Sequence, residues 1–363
     1  MEYVTTILDQ LTGAVEQSRL RSEAFQRAGG IPGLVDLLRS VDRLPDIQDR
    51  IRQARAGGQW VGAIPTHEPV ATTIPAPHPN GTNPIGIDGS QIYPSLDDPV
   101  AWAYVHAASW GGGPALWVTE FYGEDAVLEE SGYPVPSHVI DAWRALSEAR
   151  VLQQIVHQPN IGNQVVLVDG SLLPWVRNGR QVLKASEEYR RCILDCRGHL
   201  IAAVTSSPAS RHLVHLLRLA AGEAGQSPAF VKHISDAHIA RHLLPIAHRS
   251  ALFQLGLPQN ERFERAGAAV CSFYLRTSAE EILRVEMPSW VAQDNASVAV
   301  LHATILADSG SLAYPTCLTC AHHAVAIGQG LAEELHQKAL AMYVRQGGSI
   351  NPASAKNRGK GHP

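Results

Sequence analysis

The sequence is short of the residues that would mark a secreted or a membrane protein. It has only five cysteines in 363 residues, and an odd number in a chain of this length argues against a disulfide framework and for a reducing cytoplasm. No apolar run approaches the roughly 20 residues that a bilayer-spanning helix needs, and the start MEYVTTILDQ is unlike a signal peptide. We therefore expect a cytoplasmic protein without a membrane span.

The chain also lacks a large excess of charge of either sign. Charged residues make up 18% of the chain and the net charge is −4, so no overall field draws the molecule toward nucleic acid. A nucleic-acid site would need local basic residues or bound metal to offset the repulsion from phosphates. The apolar content of 45% is enough for a large buried core.

The chain is predicted to have four regions. Residues 1–57 show apolar residues at helical spacing and form a helical N-terminal region, and residues 58–84, rich in proline and threonine, form an extended connection. Residues 85–345 form the main domain. Residues 346–363 lack apolar periodicity and carry several cations, which predicts a mobile basic tail that serves solubility or loose contact with phosphates.

The order of elements in the main domain predicts its fold. A strand ending at Asp88 is followed by a hairpin, VAWAYVHAASW–GGGP–ALWVTEFYG, then by a helix over 137–158 and a strand, QVVLVD, that ends at Asp169. This order opens an RNase H-like fold, in which the first and fourth strands are neighbours. We therefore predict an α/β fold, with an RNase H-like mixed β-sheet core flanked by helices and a helical N-terminal extension.

Two of these strands end in the same residues, Asp-Gly-Ser, in IGIDGSQIYP (85–94) and VVLVDGSLLPW (165–175). Taken alone, each motif is more often a simple turn. Paired at neighbouring strand ends, however, Asp88 and Asp169 offer the carboxylate oxygens that Mg²⁺ and Mn²⁺ prefer. Two such ions can activate water on one side of a phosphodiester and stabilise the leaving oxygen on the other. The pair thus predicts one divalent-metal site.

A third carboxylate is available on the intervening helix. Glu148 lies roughly on the same side of that helix as Val151, Leu152 and Ile155, which would turn it toward the sheet. On spacing alone, a solvated helix glutamate is the simpler interpretation.

The stretch AYPTCLTCAHHAVAIG (313–328) contains Tyr314 and His322 together with Cys317 and Cys320. The C-x-x-C pair is half of a zinc site, but the sequence shows no second half. A histidine can ligate a metal or transfer a proton, and a tyrosine hydroxyl can orient an oxyanion, so both suit a site near a phosphate. On the residues alone, a histidine satisfied within the core is the simpler interpretation.

Six segments, taken in order, resemble the NurA family of nucleases, particularly its bacterial members: IDGSQIYP, LVDGSLLPW, AAVTSSPASRHLVHLLR, HRSALF, YLRTSAEEILRVEMPSW and AYPTCLTCAHHAVAI. The resemblance covers about residues 85–330. It implies an RNase H-like core, cleavage of DNA with one or two Mn²⁺ or Mg²⁺ ions per subunit, and a homodimer. It also implies a partner, a HerA-type hexameric ATPase that translocates DNA during end resection.

Carried over to this sequence, the resemblance assigns catalytic roles to Asp88, Glu148, Asp169, Tyr314 and His322. All of these except Tyr314 are then metal ligands. The resemblance thus implies that the two Asp-Gly-Ser motifs belong to one active site and are not simple turns.

One departure from the family concerns the phosphate. Some members carry a lysine after the strand that here reads LIAAVTSS, so a cation for the substrate has to come from elsewhere. Arg211, Arg249 and Arg284 are candidates, although each is more typical of a structural ion pair.

The sequence leaves other functions open. A catalytically silent accessory subunit of a translocase, or a metal-dependent phosphoesterase acting on RNA or nucleotides, would use similar residues. Exonuclease (5′–3′) or endonuclease action, and a role in resection or in anti-phage defence, also stay open.

Overall fold

The computed structural model describes residues 2–27, 29–58, 60–78, 83–95, 100–129, 132–173, 180–222 and 234–347. Its strands are β1 (Ala63–Pro65), β2 (Thr73–Pro75), β3 (Ile85–Ile92), β4 (Ala103–Gly111), β5 (Trp117–Tyr122), β6 (Val165–Asp169), β7 (Leu200–Ser206), β8 (His248–Ser250), β9 (Phe253–Leu255), β10 (Val270–Arg276) and β11 (Ile282–Pro288). Its α-helices are α1 (Glu2–Arg27), α2 (Gly30–Ser40), α3 (Ile47–Ala56), α4 (Glu124–Val127), α5 (Ser137–Val156), α6 (Arg180–Asp195), α7 (His212–Ala220), α8 (Asp236–Leu243), α9 (Pro258–Arg265), α10 (Ser289–Ala292), α11 (Asn295–Ser309), α12 (Thr316–Val325) and α13 (Gln329–Arg345).

These elements form two compact units whose segments alternate along the chain. The first unit contains α1–α3, β1, β2, β7–β11 and α7–α11, together with the segment Asp169–Leu173. The second contains β3–β5, β6 up to Val168, α4–α6, α12 from Cys317 onward, and α13.

In the first unit, strands pair in the order β1-β9-β10-β11-β7, and β8 pairs with both β2 and β10. All of these pairings are antiparallel. The core combines this sheet with apolar residues of α2, α3, α7 and α8, among them Leu38, Ile51, Leu217 and Ile239. The N-terminal helices α2 and α3 thus add to the core of a sheet that is formed mainly by residues after 200.

The segment 58–84, expected from its composition to be an extended connection, contains two short strands. Ala63–Pro65 pairs with β9, and Thr73–Pro75 pairs with β8. Both strands end at a proline, which cannot donate a hydrogen bond and is tolerated at strand ends and edges.

The second unit contains the predicted sheet order. Its strands follow β5-β4-β3-β6, in which the pairs β5–β4 and β4–β3 are antiparallel and β3–β6 is parallel. The first four residues of β6, VVLV, are buried, as expected for a parallel strand that is covered on both faces. Helix α5 packs against β3, β4 and α6. The expectation of an α/β fold with a mixed sheet, and with the first and fourth strands adjacent, is confirmed.

No single helix among the described residues is long and apolar enough to cross a bilayer. One bent pair of helical segments, Asn295–Leu312 and Thr316–Arg345, has the length and apolar composition of a membrane span only when its two parts are taken together. In the first of these parts Leu301 and Ile305 are fully buried, as in the core helix of a globular protein.

Candidate metal centre

Asp88 lies near the middle of β3, where the strand passes from buried to partly exposed residues. The residue is only 4% exposed, and its Oδ1 accepts a hydrogen bond of 2.7 Å from the backbone N–H of Gly89. A carboxylate with so little contact with water needs hydrogen bonds or a cation to compensate for its lost hydration.

Asp169 is the last residue of β6. The parallel pairing of Ile87 with Val168 is followed one residue later by Asp88 and Asp169, so the two carboxylates stand at the same level on adjacent strands. The hydroxyl of Tyr314 donates a hydrogen bond of 2.7 Å to Asp169 Oδ1. Tyr314 therefore fixes the orientation of this carboxylate.

His322 comes from α12, and its Nδ1 lies 2.8 Å from Asp88 Oδ2. The helix approaches β3 closely because residue 86 is a glycine: a Cβ there would lie 2.4 Å from the carbonyl carbon and oxygen of Cys317. Gly86 and Asp88 point to the same face of the strand because strand side chains alternate. The absent side chain at Gly86 thus brings α12, and with it His322, to Asp88.

One ligand atom from each of Asp88, Asp169 and His322 lies within 4.8 Å of the other two. Two carboxylate oxygens and an imidazole nitrogen form a donor set that suits Mn²⁺ and also accepts Mg²⁺. Two carboxylates held side by side repel each other unless a cation or a proton lies between them. The residues therefore fit a divalent ion.

Glu148 is placed close to this group but does not belong to it. The sequence favoured a solvated glutamate, and that interpretation is wrong: Glu148 is 5% exposed and forms an ion pair of 2.5 Å with Arg144. A Cβ on Gly89 would lie 2.6 Å from Glu148 Oε1 and 2.9 Å from Arg144 Cγ. Glycine at position 89, next to Asp88, thus makes room for the Arg144–Glu148 pair.

Arg144 is a site neighbour that the sequence interpretation missed. The charge of Glu148 is the largest cause that raises the pKa of the Arg144 guanidinium, and Asp88 contributes to the same shift. Its Nε is buried without a hydrogen-bond partner among the described residues. The only sequence signal was its position four residues before Glu148, on the same helix face.

The turn after β6 has a partner that the sequence did not indicate. Glu286, which is buried, accepts a hydrogen bond of 2.7 Å from the Ser171 hydroxyl and another of 2.9 Å from the Leu172 N–H. Arg284 forms an ion pair with Glu286 at 2.8 Å. These contacts hold the second Asp-Gly-Ser motif in place. Glu286 is more than one hundred residues from this motif in the chain, so no local sequence pattern indicates the contacts.

Two of the three arginines proposed as phosphate contacts are held in buried ion pairs. Arg249 pairs with Glu68 and Arg284 with Glu286, so both match the structural interpretation. Arg211 occupies the N-cap position of α7. Arg144 is ion-paired as well, with Glu148, and the charge of Asp88 also acts on it.

The cysteines form no metal site in the part of the chain that the structure describes. The one group of metal-binding side chains found there is Asp88, Asp169 and His322, and neither Cys317 nor Cys320 is joined in a disulfide. The predicted basic tail lies, from residue 348 onward, outside the described residues.

Comparison with known proteins identifies the family of the chain. A family model for the NurA domain matches residues 84–327. Solved structures with a similar fold include the NurA nuclease from Sulfolobus solfataricus, which is 14% identical with a TM-score of 0.53 over 87% of this chain and 98% of that one. No curated protein matches the sequence.

Two further NurA crystal structures also share the fold. One, described as bound to dAMP and manganese, has a TM-score of 0.51 at 12% identity over 86% of this chain and 98% of that one. The other, described as containing manganese, has a TM-score of 0.50 at 10% identity over 86% of this chain and 99% of that one. At these identities the likeness concerns the fold alone.

Proposed function

The chain belongs to the NurA domain family, and on that basis we propose that it is a metal-dependent nuclease that hydrolyses phosphodiester bonds in DNA. The observation that carries this proposal is the convergence of Asp88, Asp169 and His322. The three residues come from separate elements, β3, β6 and α12. Two carboxylates of like charge beside an imidazole can bind a divalent cation, and the cation can in turn bind a phosphate.

Asp88, Asp169 and His322 are the proposed ligands of the ion. When it is bound, a divalent cation of this kind offsets the charge of a phosphodiester and makes nearby water more acidic. The chain supplies the positioning: Tyr314 orients Asp169 through its hydrogen bond, and the Gly89 N–H orients Asp88. Carboxylates held in this way need little rearrangement when the ion and the substrate arrive.

Glu148 is the proposed further carboxylate of the site. It is now paired with Arg144, so it would join the ligands only by exchanging that partner for a cation. Arg144, released from Glu148, would then carry a positive charge beside Asp88, where a phosphate needs it. The pair thus supplies both a carboxylate for metal and a cation for substrate.

One of the similar NurA structures is a complex with manganese, and another is a complex with dAMP and manganese. They support the proposal of Mn²⁺ as the cofactor and of a deoxynucleotide as product or substrate fragment. Mg²⁺ stays an alternative, and we propose one or two ions per subunit.

The family resemblance supports the remaining proposals. The chain would act as a homodimer in the cytoplasm, together with a HerA-type hexameric translocase, in DNA end resection or in anti-phage defence. It would cleave as a 5′–3′ exonuclease, as an endonuclease, or as both.

The test is a panel of end-labelled single-stranded DNA, duplex DNA and RNA of one sequence, incubated with Mn²⁺, Mg²⁺ or EDTA. We expect cleavage of DNA that requires metal. Cleavage of RNA or nucleotides alone would instead indicate the phosphoesterase alternative. No cleavage, even after a cognate translocase is added, would favour the accessory-subunit alternative.

A further inference from the structure

The outer face of the β4–β5 hairpin exposes an unusual set of aromatic side chains. Trp117 is 66% exposed and Phe121 is 68% exposed, and Trp110 is also exposed. The burial of β5 alternates from residue to residue, so Trp117, Thr119 and Phe121 share one side of the strand. An exposed cluster of large apolar rings of this kind is typical of a binding surface.

The strand register places these rings on the same face as Asp88. Asp88 pairs with Ala108, and Ala108 pairs with Trp117. Directly paired residues point to the same side of a sheet, and each step between strands is about 4.8 Å. The Cα atom of Trp117 is therefore roughly 10 Å from that of Asp88, in one row across three strands.

The opposite face of the same hairpin is already occupied. Glu120 accepts a hydrogen bond of 2.8 Å from the Ser147 hydroxyl of α5, and Tyr122 stacks on Trp143 of the same helix with ring centroids 3.9 Å apart. The exposed rings are thus not part of the packing between the sheet and α5.

The aromatic face is also uncharged. Between residues 103 and 122 the sole charged side chain is Glu120, and it lies on the face that packs against α5. The His106 ring pairs with the Thr119 hydroxyl at 2.8 Å, and burial lowers the pKa of His106. Aromatic rings interleaved with neutral hydrogen-bonding groups match the chemistry of nucleobases, whose flat faces stack on such rings.

One ring of the face is supported from below. Trp102, which is buried, stacks on Phe121 with centroids 5.8 Å apart, and it also contacts the His336 ring of α13 at 4.8 Å. Phe121 is therefore held in position although most of its surface is exposed.

We propose that Trp110, Trp117 and Phe121 form a platform on which bases of single-stranded DNA stack as the strand passes to Asp88 and Asp169. This inference rests on the proposed nuclease function. Bases of a duplex are already stacked on each other, so the platform would favour single-stranded over duplex substrate.

The first test measures binding without cleavage. The full-length protein in EDTA is titrated into fluorescein-labelled oligo(dT) and into a duplex of equal length, and anisotropy gives Kd. Trp117→Ala and Phe121→Ala should each weaken single-strand binding by about 5- to 150-fold. Trp117→Phe should restore most of the affinity, and duplex binding should change little.

Tyr133→Ala is the matched control, because Tyr133 is as exposed as Phe121, at 68%, but lies outside the hairpin. A second readout is tryptophan fluorescence, which oligo(dT) should quench in the wild type and much less in Trp117→Ala.

Equal Kd values for wild type, Trp117→Ala and Phe121→Ala would overturn the platform, whatever the nuclease activity. The platform would also be overturned if Trp117→Ala changed the molar mass in light scattering but left single-strand affinity unaltered, because the face would then join copies of the chain. A different outcome is that oligo(dT) quenches the tryptophan fluorescence of the wild type and that the two alanine variants bind it more weakly, but no DNA is cleaved. That outcome would reject the proposed nuclease function and support the platform.

Discussion

Two groups of charged side chains in this chain are built in opposite ways. In the first unit, Arg249 and Glu68 form a double hydrogen-bonded ion pair at 2.7 and 2.9 Å, and the Leu252 N–H adds a third bond to the carboxylate. In the candidate metal centre, Asp88 and Asp169 bring two negative charges together, and the nearby His322 is 62% exposed at its side chain.

The difference separates charges that serve the fold from charges that serve a ligand. The Glu68 carboxylate has its charge and its hydrogen bonds matched inside the protein. Burial alone would raise the pKa of Glu68, but the hydrogen bond and the charge of Arg249 outweigh it and lower that pKa. Asp88 and Asp169 instead repel each other, which is compensated when a cation binds.

The largest expected effect follows from removing one charge of the metal centre. Asp88→Asn should lower metal-dependent DNA cleavage by about 10³-fold or more, equivalent to about 4 kcal/mol of barrier. Chemical denaturation in EDTA should give an unfolding free energy equal to or above that of the wild type, because a like-charge repulsion is lost. Asp36→Asn, at an exposed helix position, is the control. A variant that cleaved normally would show that the site is misassigned.

The structural ion pair should respond in the opposite way. Glu68→Ala leaves Arg249 buried without its partner and should cost about 3–5 kcal/mol of unfolding free energy, while cleavage per folded molecule stays near normal. The pKa of Glu68 is lowered in the fold, so its contribution is present above the unfolded pKa and is lost as the pH falls through the folded pKa.

Glu264→Ala is the control for the ion pair, since its partner Arg55 is partly exposed and such pairs contribute about 1 kcal/mol or less. Equal losses of stability in Glu68→Ala and Glu264→Ala would contradict this comparison.

Glu148 combines features of both groups, because it is ion-paired with Arg144 and lies close to Asp88. Its substitution should therefore have an intermediate effect on DNA cleavage. Glu148→Gln should reduce cleavage by about 10- to 100-fold, as for residues that support metal ligands, and should raise the Mn²⁺ concentration needed for half-maximal rate. A Mn²⁺ titration of the cleavage rate measures both quantities. Glu187→Gln, in a partly exposed pair on α6, serves as control, and a normal metal requirement in Glu148→Gln would exclude Glu148 from the site.

The smallest effect is expected on the pH dependence of folding stability, and it comes from a buried histidine outside the metal centre. Burial is the main cause that lowers the pKa of His302 to about 4, and its Nδ1 is buried without a hydrogen-bond partner among the described residues. The unfolded chain binds a proton near pH 6.5, whereas the folded chain resists it, so stability falls as the pH drops from about 6.5 toward 4. At pH 5 the loss should be about 1–2 kcal/mol.

His302→Gln keeps a donor for the Ala247 carbonyl but cannot titrate, so its unfolding free energy should vary less between pH 7 and pH 5. Denaturant titrations at several pH values give the difference between the two proteins. His242→Gln, at an exposed position, should follow the wild type, and parallel curves for His302→Gln would refute the assignment.

The sequence was informative where chemistry and local pattern coincide. The apolar runs before Asp88 and Asp169 predicted two strands, and the element order predicted that they are neighbours, as β3 and β6 are. Tyr314 and His322 had no spacing of their own to recommend them. Their residue types suited a phosphate site only in general terms, and the family resemblance assigned their roles. The structure places Tyr314 beside Asp169 and His322 beside Asp88.

The remainder depends on contacts between distant residues. Glu68 and Arg249 are 181 positions apart, and no periodicity links them. The burial of Glu148 depends on Gly89, a residue of β3 whose missing side chain leaves space beside α5. The shared face of Asp88 and Trp117 follows from the register of two strand pairs, which hydrophobic alternation alone does not determine.

The proposed site, in which Asp88, Asp169 and His322 hold one divalent ion, can be examined by anomalous diffraction from crystals soaked in Mn²⁺ and recorded at the manganese edge. We expect a peak within about 2.0–2.3 Å of an oxygen of each aspartate and a nitrogen of His322. The peak should be absent in Asp88→Asn crystals treated alike. A strong peak elsewhere in the chain, with none between these three side chains, would contradict the proposed site.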